Sequence, residues 1–80
     1  MKFDTWLDIF LNEKGIDLEH DFEVMGESGL NIIPVGVVIE HIKIAPDHEQ
    51  EQIKNTLVMI DFKNGDVYHF LNHLAGAIAR

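Results

Sequence analysis

The chain contains no cysteine and only two prolines. Without thiols it can form neither a disulfide framework nor a thiolate metal site, and their absence is typical of a reducing compartment. Long hydrophobic runs are missing too. The longest stretches without a charged residue, 28–39 and 67–79, fall short of the roughly 20 apolar residues that span a bilayer. The opening MKFDTWLDIF carries Asp4 where a signal peptide would be apolar. We therefore expect a cytoplasmic protein that does not bind membranes.

Basic residues are scarce. Six lysines and arginines stand against 14 acidic residues, so the net charge is −8, and residues 1–28 alone contribute −6 through eight acids and two lysines. Such a surface repels phosphate backbones and anionic lipids. We therefore expect no direct binding to nucleic acid. The acidic first third is either a solubilising surface or a docking face for a basic partner.

The 80 residues, 46% of them hydrophobic, predict a single compact domain over 1–80. Hydrophobic spacing predicts a mainly α fold, a small bundle of about four helices with a short extended or β-hairpin segment near 21–33. The helices are expected near 3–14, 34–45, 47–63 and 66–79. Asp4 is the expected N-cap of the first helix and Gly15 its end. Asp47 and Gln50 form a capping-box pair at the start of the third.

The Asn-Gly pair at 64–65 has two interpretations. As a hairpin turn after LVMIDF, it predicts an α+β fold with a hairpin at 56–70. As a helix stop, it predicts Gly65 in the left-handed conformation, followed by Asp66 as a new N-cap. We favour the helix stop, because the residues that follow have helical periodicity.

Residues 17–24 alternate between acidic and mostly apolar side chains, a period of two that predicts a strand near 21–25. GESG is then a turn in which a glycine takes positive φ, and LNII a second short strand. In an extended conformation the acids project on one side about 6.6 Å apart, close to the spacing of phosphates. This acidic face comprises Asp17, Glu19, Asp21 and Glu23. It supports an alternative function as a nucleic-acid mimic or an inhibitor of a basic nucleic-acid-binding protein.

The helix near 34–45 is apolar on both sides. Val35, Val38, Ile39 and Ile42 form its core face, and Val37, His41 and Ile44 form a second strip on its back. Val58 and Phe62 lie off the apolar stripe of the next helix. Helices that are apolar on both sides are central in a fold or part of an interface. The β-branched residues of VGVVIEHIKI leave a strand as the alternative.

Two histidines, His69 and His73, stand four positions apart on the last helix, opposite its apolar stripe. Such a pair can bind one zinc ion, but a structural zinc needs four ligands and a catalytic one three. The sequence shows no further ligand beside them. We therefore expect no cofactor, and metal binding by these histidines is a second alternative function.

Catalytic motifs are missing. The only serine, Ser28, has Leu30 where a nucleophile elbow has glycine. The many acids have the pattern of solvated side chains, and a domain of this size seldom has a catalytic cleft. We therefore expect that the protein is not an enzyme.

These observations favour a small acidic protein-interaction module that can self-associate as a homodimer. The predicted contact residues are Val37, His41, Ile44, Val58 and Phe62. Histidine changes its charge between pH 5 and 8, so self-association through His41 is expected to depend on pH. No motif identifies the protein partner.

Overall fold

The computed structural model describes residues 1–60 and 64–79. Its elements are α1 (Phe3–Glu13), β1 (Asp21–Gly26), β2 (Gly29–Pro34), α2 (Val35–Lys43), α3 (Asp47–Met59) and α4 (Asn64–Ile78). The prediction of a mainly α fold with a hairpin near 21–33 is confirmed. The alternative hairpin over 56–70 is not formed, because 56–59 belong to α3 and 64–70 to α4.

The core lies between the helices and the inner face of the hairpin. α4 packs against β1 and α2, α2 also packs against β2, and α1 packs against α3. The predicted core face of α2 is confirmed, since Val35, Val38, Ile39 and Ile42 are all buried. The largest fully buried side chains are those of Leu7, Leu57, Leu71, Val35, Val38 and Val67.

Gly15 stops helix α1, as the sequence predicts: the helix ends at Glu13 with Lys14 as C-cap, and Gly15 follows with φ +65°. The Ile16 N–H donates to the Leu11 carbonyl at 3.0 Å, and the Ile16 side chain is buried. A left-handed glycine followed by a buried apolar residue is the Schellman ending of a helix. The predicted Asp4 cap is wrong: α1 starts at Phe3 with Lys2 as N-cap, so Asp4 lies inside the first turn.

β1 and β2 pair antiparallel from Asp21 opposite Pro34 to Gly26 opposite Gly29. Gly29 has φ +109°, which confirms a glycine with positive φ at this turn. Gly26 has a different role, because its φ is not positive. A Cβ on Gly26 would lie 2.5 Å from both the Ala79 carbonyl oxygen and the Asn31 Nδ2. A hydrogen atom at this position lets the end of α4 approach the hairpin closely.

The predicted capping box at the start of α3 is wrong. Pro46 is the N-cap, and Asp47 makes no side-chain capping hydrogen bond. Gln50 instead donates its Nε2 to the carbonyl oxygens of Ile42 at 3.3 Å and Lys43 at 3.0 Å. These carbonyls belong to the last turn of α2, and the Ile42 carbonyl also accepts the Ala45 N–H at 3.2 Å. Gln50 therefore joins the end of α2 to the first turns of α3.

The expected helix stop before α4 is also wrong. α3 ends at Met59, and α4 already includes Gly65, which has no positive φ. Asp66 therefore lies in the first turn of α4 instead of at its N-cap. A carboxylate in that turn still interacts favourably with the positive end of the helix dipole.

Candidate functional site

The predicted interaction strip on α2 is exposed. Val37, His41 and Ile44 face away from the buried side of the helix, and Ile44 is 80% exposed. His41 borders a cavity of about 210 Å³ between α2, α3 and α4, which Glu49 also lines. Val37 and His41 stand on one face of α2 by their spacing, and Ile44 is the C-cap residue that follows the helix.

The rest of the predicted strip lies elsewhere. Val58 is exposed on α3, one turn after Lys54, whose Nζ is 5.2 Å from the centre of the Trp6 ring on α1. By its spacing, Val58 stands on the same side of α3 as Lys54. Phe62 lies outside the described residues. The described contacts give no basis for a single surface made of α2 and Val58.

The four acids of the predicted acidic face are all exposed. The predicted regular spacing along an extended segment is wrong for the first two, Asp17 and Glu19. Asp17 begins a turn in which the His20 N–H donates to the Asp17 carbonyl at 3.2 Å. Asp17 Oδ1 accepts the Glu19 N–H at 2.9 Å, and the Asp17 N–H donates to the Tyr68 hydroxyl of α4 at 2.7 Å. Because the strand begins only at Asp21, the 6.6 Å spacing applies to Asp21 and Glu23 alone.

His69 and His73 are exposed on α4, as predicted. They line a cavity of about 500 Å³ between α3 and α4, whose other lining residues are Thr56, Met59, Ile60, Asp66 and Phe70. The structure thus adds one carboxylate to the wall that carries both imidazoles. Within residues 1–60 and 64–79, however, no three histidine, aspartate or glutamate side chains are arranged to hold a metal ion.

An apolar surface that the sequence interpretation missed lies on the outer face of the hairpin, toward its turn. Met25, Leu30 and Ile32 are 72%, 61% and 52% exposed. Met25 lies directly opposite Leu30, and Ile32 follows two residues along β2, so the three side chains are neighbours on one face. We call these three residues the hairpin patch.

Leu30 and Ile32 stand two positions apart, so a strand at this place predicts that their side chains share one face. Their juxtaposition with Met25 depends on the register, which is set by the length of the turn at Glu27 and Ser28. The inner residues of the same strands, Phe22 and Ile33, are buried against the core.

One ion pair joins α1 to α2. Lys43 Nζ lies 2.8 Å from Asp8 Oδ1. The hydrogen bond to Asp8 and the surrounding carboxylates outweigh partial burial and raise the pKa of Lys43. The pair lies far from the hairpin in sequence and fits a structural role.

Comparison of the chain with models of protein families, with curated proteins and with solved structures finds no match. Among the described residues, no helix combines the length and the apolar character needed to cross a membrane.

Proposed function

We propose that this protein is a non-enzymatic protein-interaction module of the cytoplasm, and that it binds its partner through the hairpin patch. The observation that carries the proposal is the contiguity of Met25, Leu30 and Ile32 on an uncovered sheet face. Contiguous apolar patches on a folded surface are typical of interaction sites, whereas single exposed apolar residues are normal.

The hairpin patch offers a sizeable driving force for binding. Complete burial of a leucine, isoleucine or methionine side chain stabilises a complex by about 1.5–3 kcal/mol, and these side chains are still half to three-quarters exposed. Methionine adds an adaptable contact because its unbranched side chain adopts many conformations.

The proposal is tested by quantitative capture of partners with the tagged full chain. The double variant Leu30→Ser, Ile32→Ser is expected to lose the specific partners that the wild type retains. The matched control is Ile9→Ser, which removes an exposed apolar side chain from α1 and is expected to keep them. Circular dichroism establishes that each variant is folded. Equal capture by the wild type and the double variant would contradict the proposal.

Self-association through α2 is a second candidate, favoured by the exposure of Val37 on the helix and of Ile44 at its C-cap. The mass of the protein in sedimentation equilibrium tests it. A wild-type dimer that becomes a monomer in the variant Val37→Ser, Ile44→Ser would support this interface. A wild-type monomer at all concentrations would contradict it.

The two alternative functions have less support. A nucleic-acid mimic requires regularly spaced acids, and of the four only Asp21 and Glu23 lie on the strand. A metal-binding function requires a further ligand beside His69 and His73, and no third ligand joins them among the described residues in a geometry that could hold a metal.

A further inference from the structure

We infer that the hairpin patch binds a segment with apolar side chains flanked by lysine or arginine, and not a second copy of this chain. The inference rests on the proposed function and specifies the chemistry of the partner. Its basis is the charge of the hairpin itself, residues 21–34, which contain acidic and no basic side chains.

Three carboxylates frame the patch. Asp21 and Glu23 alternate along β1 with inward-facing residues and therefore share the outer face with Met25, and Glu27 lies in the adjoining turn. All three acids are exposed. Glu27 lies at the turn end of the hairpin patch, and Asp21 and Glu23 lie beside it along β1.

No cation of the hairpin neutralises these acids. Residues 21–34 contain no lysine, arginine or histidine. Across the ladder, Asp21 faces Pro34 and Glu23 faces Ile32, so neither has a basic cross-strand neighbour. The nearest histidine along the chain, His20, packs against the rings of Phe22 and Tyr68. Within the described residues, the three carboxylates have no salt-bridge partner.

This arrangement disfavours a symmetric dimer through the hairpin. Two copies packed face to face would bring six carboxylates into one partly desolvated interface, where like charges repel more strongly than in water. A basic amphipathic segment would bury the same apolar side chains and pair its cations with the acids. The outer face spans five residues of each strand, about 16 Å, which matches a short extended segment.

Binding of three fluorescent peptides, measured by anisotropy, tests the inference on the intact protein. The peptides have about seven residues, enough to span the outer face, and alternate Lys with Leu, Glu with Leu, or Lys with Ser. We expect the Lys-Leu peptide to bind at least about tenfold more tightly than the other two. We also expect its affinity to fall at least about tenfold between about 50 mM and about 500 mM NaCl.

Two sets of variants locate the site. Leu30→Ser with Ile32→Ser is expected to weaken binding of the Lys-Leu peptide about tenfold or more. The triple reversal Asp21→Lys, Glu23→Lys, Glu27→Lys is expected to shift the preference to the Glu-Leu peptide. The matched control, Glu13→Lys, Glu40→Lys, Glu51→Lys, changes the net charge equally on exposed helical positions and is expected to keep the wild-type preference.

Several outcomes would overturn the inference: no peptide binding, equal binding of the Lys-Ser and Lys-Leu peptides, or the same change of preference in the control reversal. A wild-type dimer that Leu30→Ser with Ile32→Ser dissociates would identify a second copy as the occupant instead. If the triple reversal of Asp21, Glu23 and Glu27 fails to fold, the inference is tested by the Leu30→Ser, Ile32→Ser variant and by the salt dependence of binding of the Lys-Leu peptide. Partner capture that depends on Leu30 and Ile32 would leave the proposed function standing even when the peptides fail.

Discussion

Gly26 and Gly76 show how two glycines of one chain differ in their structural role. At Gly26, an added Cβ would collide with the Ala79 carbonyl oxygen and with Asn31. At Gly76, in the interior of α4, nothing within 4 Å would meet it. The close approach of α4 to the hairpin therefore depends on the first glycine and not on the second.

We expect Gly26→Ala to lower the free energy of unfolding by about 1–3 kcal/mol, because backbone must move to admit the methyl group. Gly76→Ala is expected to raise it by about 0.5–1 kcal/mol, because alanine has the higher helix propensity. Urea denaturation followed by circular dichroism measures both. Equal effects of the two substitutions would show that α4 does not approach Gly26 as described.

At the scale of the elements, Gln50 links α2 and α3. Gln50→Ala is expected to cost about 1 kcal/mol, because two carbonyls at the end of α2 lose their side-chain donor. Gln50→Glu should cost more, since it brings a negative charge to the negative end of the α2 dipole. Thermal unfolding measures both, with Gln52→Ala at an exposed position of the same helix as the control. A loss in Gln52→Ala as large as in Gln50→Ala would contradict this role.

The Lys43–Asp8 pair joins α1 to α2. Because of this pair, we expect the stability of the fold to decrease as the pH becomes alkaline. Since folding raises the pKa of Lys43, its contribution is fully present below the ordinary lysine pKa of 10.5 and is lost as the pH rises through the higher folded value. The contribution is expected to stay below about 1 kcal/mol, because the Asp8 side chain is 61% exposed and solvent screens the pair.

Urea denaturation at a series of pH values from neutral to alkaline, in wild type and Asp8→Asn, checks this prediction. The difference in stability between the two proteins should be constant near neutral pH and shrink at alkaline pH. A difference that grows as the pH rises would have the wrong sign.

At the scale of the whole molecule, we expect no metal-dependent stability. His69 and His73 provide two nitrogens, fewer than a structural zinc requires, so binding should be weak. A ligand stabilises a fold only when its concentration exceeds its dissociation constant. The midpoint of thermal unfolding should therefore be the same after EDTA treatment and with zinc added at about the protein concentration. A zinc-dependent rise that His69→Ala abolishes would contradict this expectation.

Much of the fold could be predicted from the sequence. The helical stripes, the strand at 21–25, the stop at Gly15 and the exposure of His69 and His73 all follow from periodicity or local backbone preference. The predicted caps at Asp4, Asp47 and Asp66 were wrong because each assumes a helix boundary. Boundaries shift by one or two residues without changing the periodic pattern.

The sequence by itself determined which residues alternate between inner and outer faces, because that depends only on local periodicity and on the chemistry of each side chain. The tertiary structure alone decided that Met25 meets Leu30, that Gln50 reaches back to α2, and that Asp17 turns toward Tyr68. These contacts depend on strand register and on distances between elements remote in sequence, which no local pattern encodes. The hairpin patch emerges only when the register brings its apolar residues together beside Asp21 and Glu23.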